Sequence, residues 1–303
     1  MSETKVNTQH KDRLFKKVFE AKEDLLSLYN ALNGTEHSNP DDIEINTIEN
    51  FIYMSMKNDI SFLIANVMNL YEQQSTINPN MPLRGFLYLS ELYRKYFGSK
   101  KDLYSSRQIK LPIPQFVVFY NGTEEEADRR EMCMSEAYSG ELKGTPAIEC
   151  TAILLNINYG HNRELMKKCK RLEGYAILIN KIRQYINKGL FKEEAVERAI
   201  DDCIKEDVLA DILEKHRSEA TTMILEEYDE ELHIKNEKEI SYDEGKSDGI
   251  KEGREDGRKE GRIELADAIV RLRAGESAED LLRCGLDKET IEIARKALGY
   301  TDH

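Results

Sequence analysis

The sequence has few of the features that would support a zinc centre, a disulfide framework or a membrane span. Its five cysteines are an odd number and include no C-x-x-C pair, and its six histidines include no H-E-x-x-H pattern. No apolar run reaches the roughly 18 residues that a transmembrane helix needs. The N-terminal residues lack the apolar stretch of a secretory signal. Unpaired cysteines and the lack of an export signal favour a cytoplasmic protein.

Charge is distributed unevenly along the chain. The 303 residues are 40% hydrophobic and 33% charged, enough for one large core or two smaller domains. A net charge of −13 disfavours nucleic-acid binding. However, residues 59–110 contain seven basic and four acidic residues, a local charge of +3. This segment could form a cationic rim beside a binding site, and an ordinary solvated helix end is the alternative.

Residues 58–84, with the sequence NDISFLIANVMNLYEQQSTINPNMPLR, predict a tight hairpin that pairs two carboxylates. If residues 65–66 form the turn, counting back from it places Asp59 directly opposite Glu72. Opposed strand residues have Cβ atoms about 5 Å apart, and Gln74 shares their face of the sheet. Two carboxylates this close need a cation between them to ionise together. An all-oxygen pair suits Mg²⁺ or Mn²⁺ better than zinc.

The hairpin and several later segments carry a family resemblance. An acidic residue that opens a hairpin, followed by a glutamate on the returning strand, resembles the PD-(D/E)XK nuclease core. The local amino-acid sequence is similar to that of the Rpn family of recombination-promoting nucleases, also labelled transposases, over roughly residues 11–262. The segments that carry this second resemblance are LYEQQST (70–76), NPNMPLR (78–84), LPIP (111–114), FYNG (119–122) and LNINYGHN (155–162).

The resemblance implies a metal-dependent DNA endonuclease that hydrolyses phosphodiester bonds. Asp59 and Glu72 would be the ligands of Mg²⁺ (or Mn²⁺), and DNA would be the partner. The superfamily usually has lysine where this chain has Gln74. A glutamine cannot act as an acid, but it can orient a water or donate a hydrogen bond to a phosphate oxygen.

Two further residues are candidates for the site. Arg84 follows Pro82, which is favoured at the first position of a helix, and a cation there opposes the helix dipole. A phosphate partner would explain Arg84, and the alternative is a salt bridge to Glu72 or Glu91. Asp12 is either a third acidic site residue or a helix cap, and helix starts favour the cap.

The predicted elements of residues 1–160 form an α/β core, a mixed sheet flanked by helices. Hydrophobic spacing predicts the following order: a helix at 12–33 ended by Gly34, a strand at 43–48, the hairpin at 58–75, a helix at 82–97, a buried strand at 115–120 and a strand at 147–158. Residues 161–240 predict an all-helical extension, with helices at 163–188, 191–206 and 208–235.

The remaining chain predicts a tail of unusual composition. Within residues 241–262 a glycine recurs at every fourth position, and an acidic residue precedes each one. This pattern fits either a disordered charged linker or a helix that approaches a second helix closely. The strict period favours the paired helix and therefore a homodimer. Residues 263–303 predict a small helical module, in which Ser277 and Asp280 resemble a capping box.

Three functions remain open from the sequence. The leading one is the metal-dependent endonuclease. The second is a catalytically weak or inactive nuclease-fold protein that binds DNA or another protein, and the absence of lysine at position 74 supports it. The third is an assembly protein that works through its helical tail.

Overall fold

The computed structural model of the chain describes residues 14–46, 59–97, 104, 106–140 and 144–300. The chain divides into two compact units, Met1–Leu232 and His233–His303. Asp12 lies outside the described residues, so its predicted role is not addressed by the structure.

The first unit contains a six-stranded mixed sheet, and the fold class is α/β. The strands are β1 (Glu44–Ile45), β2 (Ile60–Ile64), β3 (Val67–Gln74), β4 (Ile113–Tyr120), β5 (Arg129–Cys133) and β6 (Thr151–Asn156). In space they follow the order β1-β2-β3-β4-β6-β5. Strands β3, β4 and β6 pair in parallel, whereas β1–β2, β2–β3 and β5–β6 are antiparallel pairs. The carboxyl ends of the three parallel strands therefore meet at one edge of the sheet.

The β2–β3 hairpin has the register that the sequence predicts. Its two-residue turn consists of Ala65 and Asn66, with φ of +47° and +60°. Two successive left-handed residues match the twist of a two-residue hairpin. Ile60 pairs with Tyr71 near the open end of the hairpin.

Helices cover both faces of the sheet. They are α1 (Leu14–Val18), α2 (Lys22–Asn33), α3 (Met81–Phe97), α4 (Arg163–Lys168), α5 (Lys170–Asn187), α6 (Lys192–Lys205), α7 (Ala210–Lys215) and the start of α8 (Arg217–Arg273). On one face Leu92 of α3 is buried in a cluster with Val118 of β4. On the other face Phe15 of α1 contacts Phe119 of β4, with ring centroids 5.0 Å apart. Strand β4 is thus buried on both faces, as its continuous apolar run predicts.

The single helix predicted at residues 12–33 is wrong, because the structure divides this segment into α1 and α2. Ala21 has extended backbone angles and precedes α2, whose first turn carries two acidic residues. Acidic residues favour a helix start, and the break lets Phe19 bury itself fully beside α1. Gly34 ends α2 with φ of +64°, which confirms the predicted C-cap.

The prediction from sequence missed strand β5. Its residues, RREMC, have three charges among five positions and show no apolar alternation. They form an exposed edge strand, where charged side chains discourage pairing with other chains. The predicted strand at 147–158 is shorter in the structure, and residues 44–45 of the predicted strand at 43–48 form β1, whereas residues 47–48 lie outside the described residues.

The helical extension also differs in its breaks. Cys169 has extended backbone angles and separates α4 from α5, where the sequence predicts one helix. The helix predicted at 208–235 is divided into α7 and α8.

The second unit contains the remainder of α8 and a small helical module. Helix α8 runs through the glycine-periodic segment, which is therefore helical within this chain. The module adds α9 (Ala278–Arg283) and α10 (Lys288–Ala297) around a core that includes Leu272, Leu281 and Ile291. Ser277 accepts a hydrogen bond from the backbone N–H of Asp280, as a helix cap should.

Candidate functional site

Asp59 and Glu72 lie side by side at the open end of the hairpin. Asp59 directly precedes β2, and the ladder ends at the pair Ile60–Tyr71, so Asp59 and Glu72 are the next residues beyond its last pair. The backbone N–H of Asp59 donates to Oε1 of Glu72 at 3.2 Å. The backbone N–H of Gln73 donates to Oδ2 of Asp59 at 2.8 Å. Each carboxylate thus fixes the backbone of the opposite strand, which holds the two residues together.

Glu72 is a buried carboxylate with a cationic partner. It is only 2% exposed, and Nη2 of Arg84 lies 3.3 Å from its Oε2. The same nitrogen donates to the hydroxyl of Tyr88 at 3.2 Å. A buried carboxylate needs such a partner, because an unpaired charge in the protein interior is costly.

The charges of this cluster shift the pKa values of its members. Burial lowers the pKa of Arg84, but the negative charge of Glu72 raises it, with smaller contributions from Tyr88 and Asp59. The net pKa of Arg84 lies above its ordinary value, so the guanidinium stays charged. Burial, and then the charge of Glu72, raises the pKa of Tyr88, which keeps its hydroxyl protonated.

Of the two salt bridges that the sequence leaves open for Arg84, the structure contains the one to Glu72. Glu91 pairs instead with Arg94, three residues further along α3. Arg84 lies in the first turn of α3 and its side chain remains 29% exposed. Its guanidinium therefore bridges the buried carboxylate and the solvent-facing side of the site.

Gln74 lies two residues beyond Glu72 on the same face of β3 and is 8% exposed. The backbone carbonyl of Gln74 accepts a hydrogen bond from the backbone N–H of Asn121, the residue that follows β4. Gln74 thus lies at the edge where the carboxyl ends of the parallel strands meet. Ligands of open α/β sheets bind at this edge.

A buried amide network on the other face of the sheet was not found by sequence reasoning. The side chain of Gln73 donates to Oδ1 of Asn121 at 2.6 Å, and Asn121 donates to the hydroxyl of Tyr175 at 3.0 Å. Arg183 of α5 donates to the carbonyl of Asn121 and to Oδ1 of Asn158. The network fastens the end of β4 to β3 and α5. The asparagines of the segments FYNG (119–122) and LNIN (155–158) were its only signal in the sequence, and no local pattern connects the two segments.

A cavity of about 220 Å³ adjoins Asp59 and contains two cations that sequence reasoning did not assign to the site. It is lined by Lys16 and Lys17 of α1, together with Glu20 and Glu219. Nζ of Lys17 lies 2.9 Å from Glu20. Residues of α1 and Asp59 of the hairpin thus line the same cavity. The local spacing of residues in the sequence could not predict that they lie together.

The donor set fits a hard divalent cation better than it fits zinc. Within the described residues, no group of three or more His, Cys, Asp or Glu side chains forms a metal cluster. Mg²⁺ commonly keeps several waters and binds through one or two carboxylates. Asp59 and Glu72 supply two carboxylates of that kind. Arg84 also contacts Glu72, so the guanidinium and the cation would have to share its carboxylate.

A larger cavity of about 730 Å³ opens at the carboxyl ends of β4 and β6. Asn158, Asn180 and Arg183 line one side of it, and residues 124–126 add three carboxylates. Its acidic lining is poorly suited to phosphate, so it offers no alternative site for a nucleic-acid backbone.

Comparisons with known proteins add no relative to these observations. No protein-family model, no curated protein and no solved structure matches the chain. Within the described residues, no helix is both long enough and apolar enough to cross a membrane.

Proposed function

We propose that this chain is a Mg²⁺-dependent DNA endonuclease with a PD-(D/E)XK-like core of the Rpn type. The single observation that carries the proposal is the reciprocal pair of hydrogen bonds that holds Asp59 beside Glu72. The order of elements in the first unit, with helices before β1–β2–β3, then α3 and β4, agrees with that core.

Each residue of the site has a distinct role in this proposal. Asp59 and Glu72 would hold the divalent cation, and the chemistry it would supply is a lower pKa for a bound water and neutralisation of phosphate charge. Gln74 orients the attacking water through its amide. Arg84 stabilises the negative charge that develops on the phosphate oxygens. Its contact with Glu72 keeps the guanidinium at the site before DNA arrives.

DNA is the proposed partner, and the protein acts as a homodimer in the cytoplasm. The segment of residues 59–110, which contains the site residues, carries a net charge of +3, which favours an anionic partner. A double-strand cut needs two active sites, which a dimer brings together.

The second candidate is a nuclease-fold protein that binds DNA or a protein without cutting. One observation favours it: Arg84 already neutralises Glu72, and Gln74 adds no charge of its own. Metal binding separates the endonuclease from this candidate. Salt-sensitive DNA binding separates this candidate from a pure assembly protein that works through its tail.

Nicking of a supercoiled plasmid tests the endonuclease proposal. Wild type should cut with Mg²⁺ or Mn²⁺, cut little with Ca²⁺ and fail with EDTA. Asp59→Asn and Glu72→Gln keep the size of each side chain and an acceptor for its backbone hydrogen bond. Each should lower the rate at least about 100-fold, the scale of losing one electrostatic group at a reacting centre.

Glu91→Gln is the matched control, because Glu91 is a carboxylate of α3 that pairs with Arg94 away from Glu72. It should cut at the wild-type rate. Wild-type cutting by both Asp59→Asn and Glu72→Gln would overturn the proposal. DNA binding without cutting under all metal conditions would support the second candidate instead.

A further inference from the structure

An unpartnered stretch of α8 carries two charged stripes of opposite sign. Every residue from Gly245 to Glu264 is exposed, and nothing lies within 4 Å of a Cβ built at any of its five glycines. Glycine is a poor helix former, and helices in proteins owe most of their stability to packing on one face. A helix of this composition therefore needs a covering partner.

The stripes lie on opposite sides of the glycine line. The acidic stripe precedes the glycines by one residue, and the basic stripe follows them by one. Each residue turns the helix by about 100°, so the two stripes flank the glycine line symmetrically. The acidic stripe consists of Asp248, Glu252, Asp256 and Glu260, and the basic stripe of Lys246, Arg254, Arg258 and Arg262, with Ile250 in the one position of that line that carries no charge.

This arrangement distinguishes between the two orientations of a second copy. When two helices face each other in parallel, the left flank of one adjoins the right flank of the other, as e and g positions do in parallel coiled coils. The acidic stripe then meets the basic stripe on both sides of the contact. In the antiparallel orientation acidic meets acidic and basic meets basic, which is repulsive.

We propose that this stretch of α8 pairs with the same stretch of a second copy in parallel orientation. This proposal rests on the dimer of the proposed function. It adds the parallel orientation of the two helices and identifies the charged stripes as the residues that determine it. A period of four residues follows the i±4 ridges of a helix, and such ridges pack at a crossing angle of about −50°. The contact is therefore a crossing centred near Gly253 rather than a long coiled coil.

Existing ion pairs within the helix do not compete strongly with the proposed contact. Lys251 lies 3.3 Å from Asp248, and Lys259 lies 3.1 Å from Asp256. All four side chains are more than half exposed, and exposed pairs of this kind are weak. The basic stripe itself carries no such bond to the acidic stripe among the ion pairs of the described residues.

Electron spin-label distances in the full-length chain test the orientation. Tyr242 and Ile263 are 70% and 69% exposed and lie on either side of the crossing. Each is replaced by cysteine in turn, with Cys133→Ser and Cys284→Ser to remove accessible thiols. A parallel pair gives a distance of roughly 20 Å or less within each sample. An antiparallel pair gives roughly 30 Å in each, from the rise of 1.5 Å per residue, and a short distance only in the mixed sample.

Variants with altered charges in the two stripes test whether these stripes determine the pairing of the two helices. Replacing all four basic-stripe residues by Glu should weaken dimerisation at least tenfold in light scattering. The matched control exchanges the two stripes, which keeps composition and complementarity, and it should dimerise like wild type. A monomeric wild type at tens of micromolar, long distances within each single-site sample, or unchanged dimerisation of the four-Glu variant would each overturn the proposal. None of these readouts depends on DNA cleavage, so failure here is separable from failure of the nuclease.

Discussion

At the scale of single residues, the structure gives Arg84 a larger contribution to stability than its position in the sequence predicts. A cation in the first turn of a helix opposes the helix dipole, so local energetics predict that its removal costs the fold little. The contact with buried Glu72 reverses that expectation. Removing one partner of a buried pair leaves the other charge uncompensated.

Arg84→Met should therefore destabilise the protein by about 1–3 kcal/mol, below the usual cost of breaking a buried pair because the guanidinium is partly exposed. The double variant with Glu72→Gln should recover much of that loss, since no buried charge then remains. Urea unfolding at pH 7 measures both. Arg94→Met is the control, because the side chain of Arg94 is 71% exposed in its pair with Glu91, and it should change stability by less than about 0.5 kcal/mol. A neutral Arg84→Met would contradict the role assigned to this pair.

The sequence predicts the site only as far as local geometry extends. The turn at Ala65–Asn66 fixes the register, and simple counting then pairs Asp59 with Glu72. The bonds from Gln73 to Asn121 and from Asn121 to Tyr175 join residues 48 and 54 positions apart. No periodicity or spacing encodes such contacts, so the sequence could not reveal them.

At the scale of elements, α3 is held against the sheet by a close approach at Gly85. A Cβ at this position would lie 2.3 Å from the ring of Phe116 in β4. Phe116 is 3% exposed and has little room to move. The approach sets how near Arg84, the preceding residue, comes to Glu72.

Gly85→Ala should lower the free energy of unfolding by about 1–3 kcal/mol, because overpacking outweighs the gain in helix propensity of about 1 kcal/mol. Ser90→Ala, at an exposed position of the same helix, is the control and should be neutral or slightly stabilising. Thermal or urea unfolding measures both. A Gly85→Ala protein more stable than wild type would show that α3 can move away from the sheet at no cost.

Elements with strong local signals were predicted well, and those without them were not. The apolar run of β4 and the glycine after α2 gave the correct ends of both elements, although β4 begins at Ile113 rather than at residue 115. Strand β5 was missed because charged edge residues lack a strand pattern. The division of residues 12–33 was missed because the break at Ala21 serves the burial of Phe19, a tertiary effect.

At the scale of the whole molecule, the two compact units imply separable roles. The sheet, the helices that cover it and the candidate site belong to Met1–Leu232, whereas the glycine-periodic stretch belongs to His233–His303. Five glycines in the exposed helix cost roughly 5 kcal/mol relative to alanine. This cost is the reason to expect association through the second unit rather than the first.

A chain that ends at residue 240 should therefore remain folded and become monomeric. Its unfolding midpoint in urea, followed by tyrosine fluorescence, should stay close to that of the first unit in the full-length protein. Light scattering should report the mass of one chain. A dimeric truncated chain would place the association surface in the first unit instead.

Asp59 and Glu72 are proposed to bind one divalent cation together. Titration with Mn²⁺, followed by electron paramagnetic resonance, measures this directly and does not depend on DNA cleavage. One Mn²⁺ site per chain is expected in the wild type and in Glu91→Gln. Affinity should fall at least about tenfold, or about 1.4 kcal/mol, in both Asp59→Asn and Glu72→Gln. Equal Mn²⁺ affinity in the wild type and both site variants would contradict the proposed role of Asp59 and Glu72 as metal ligands.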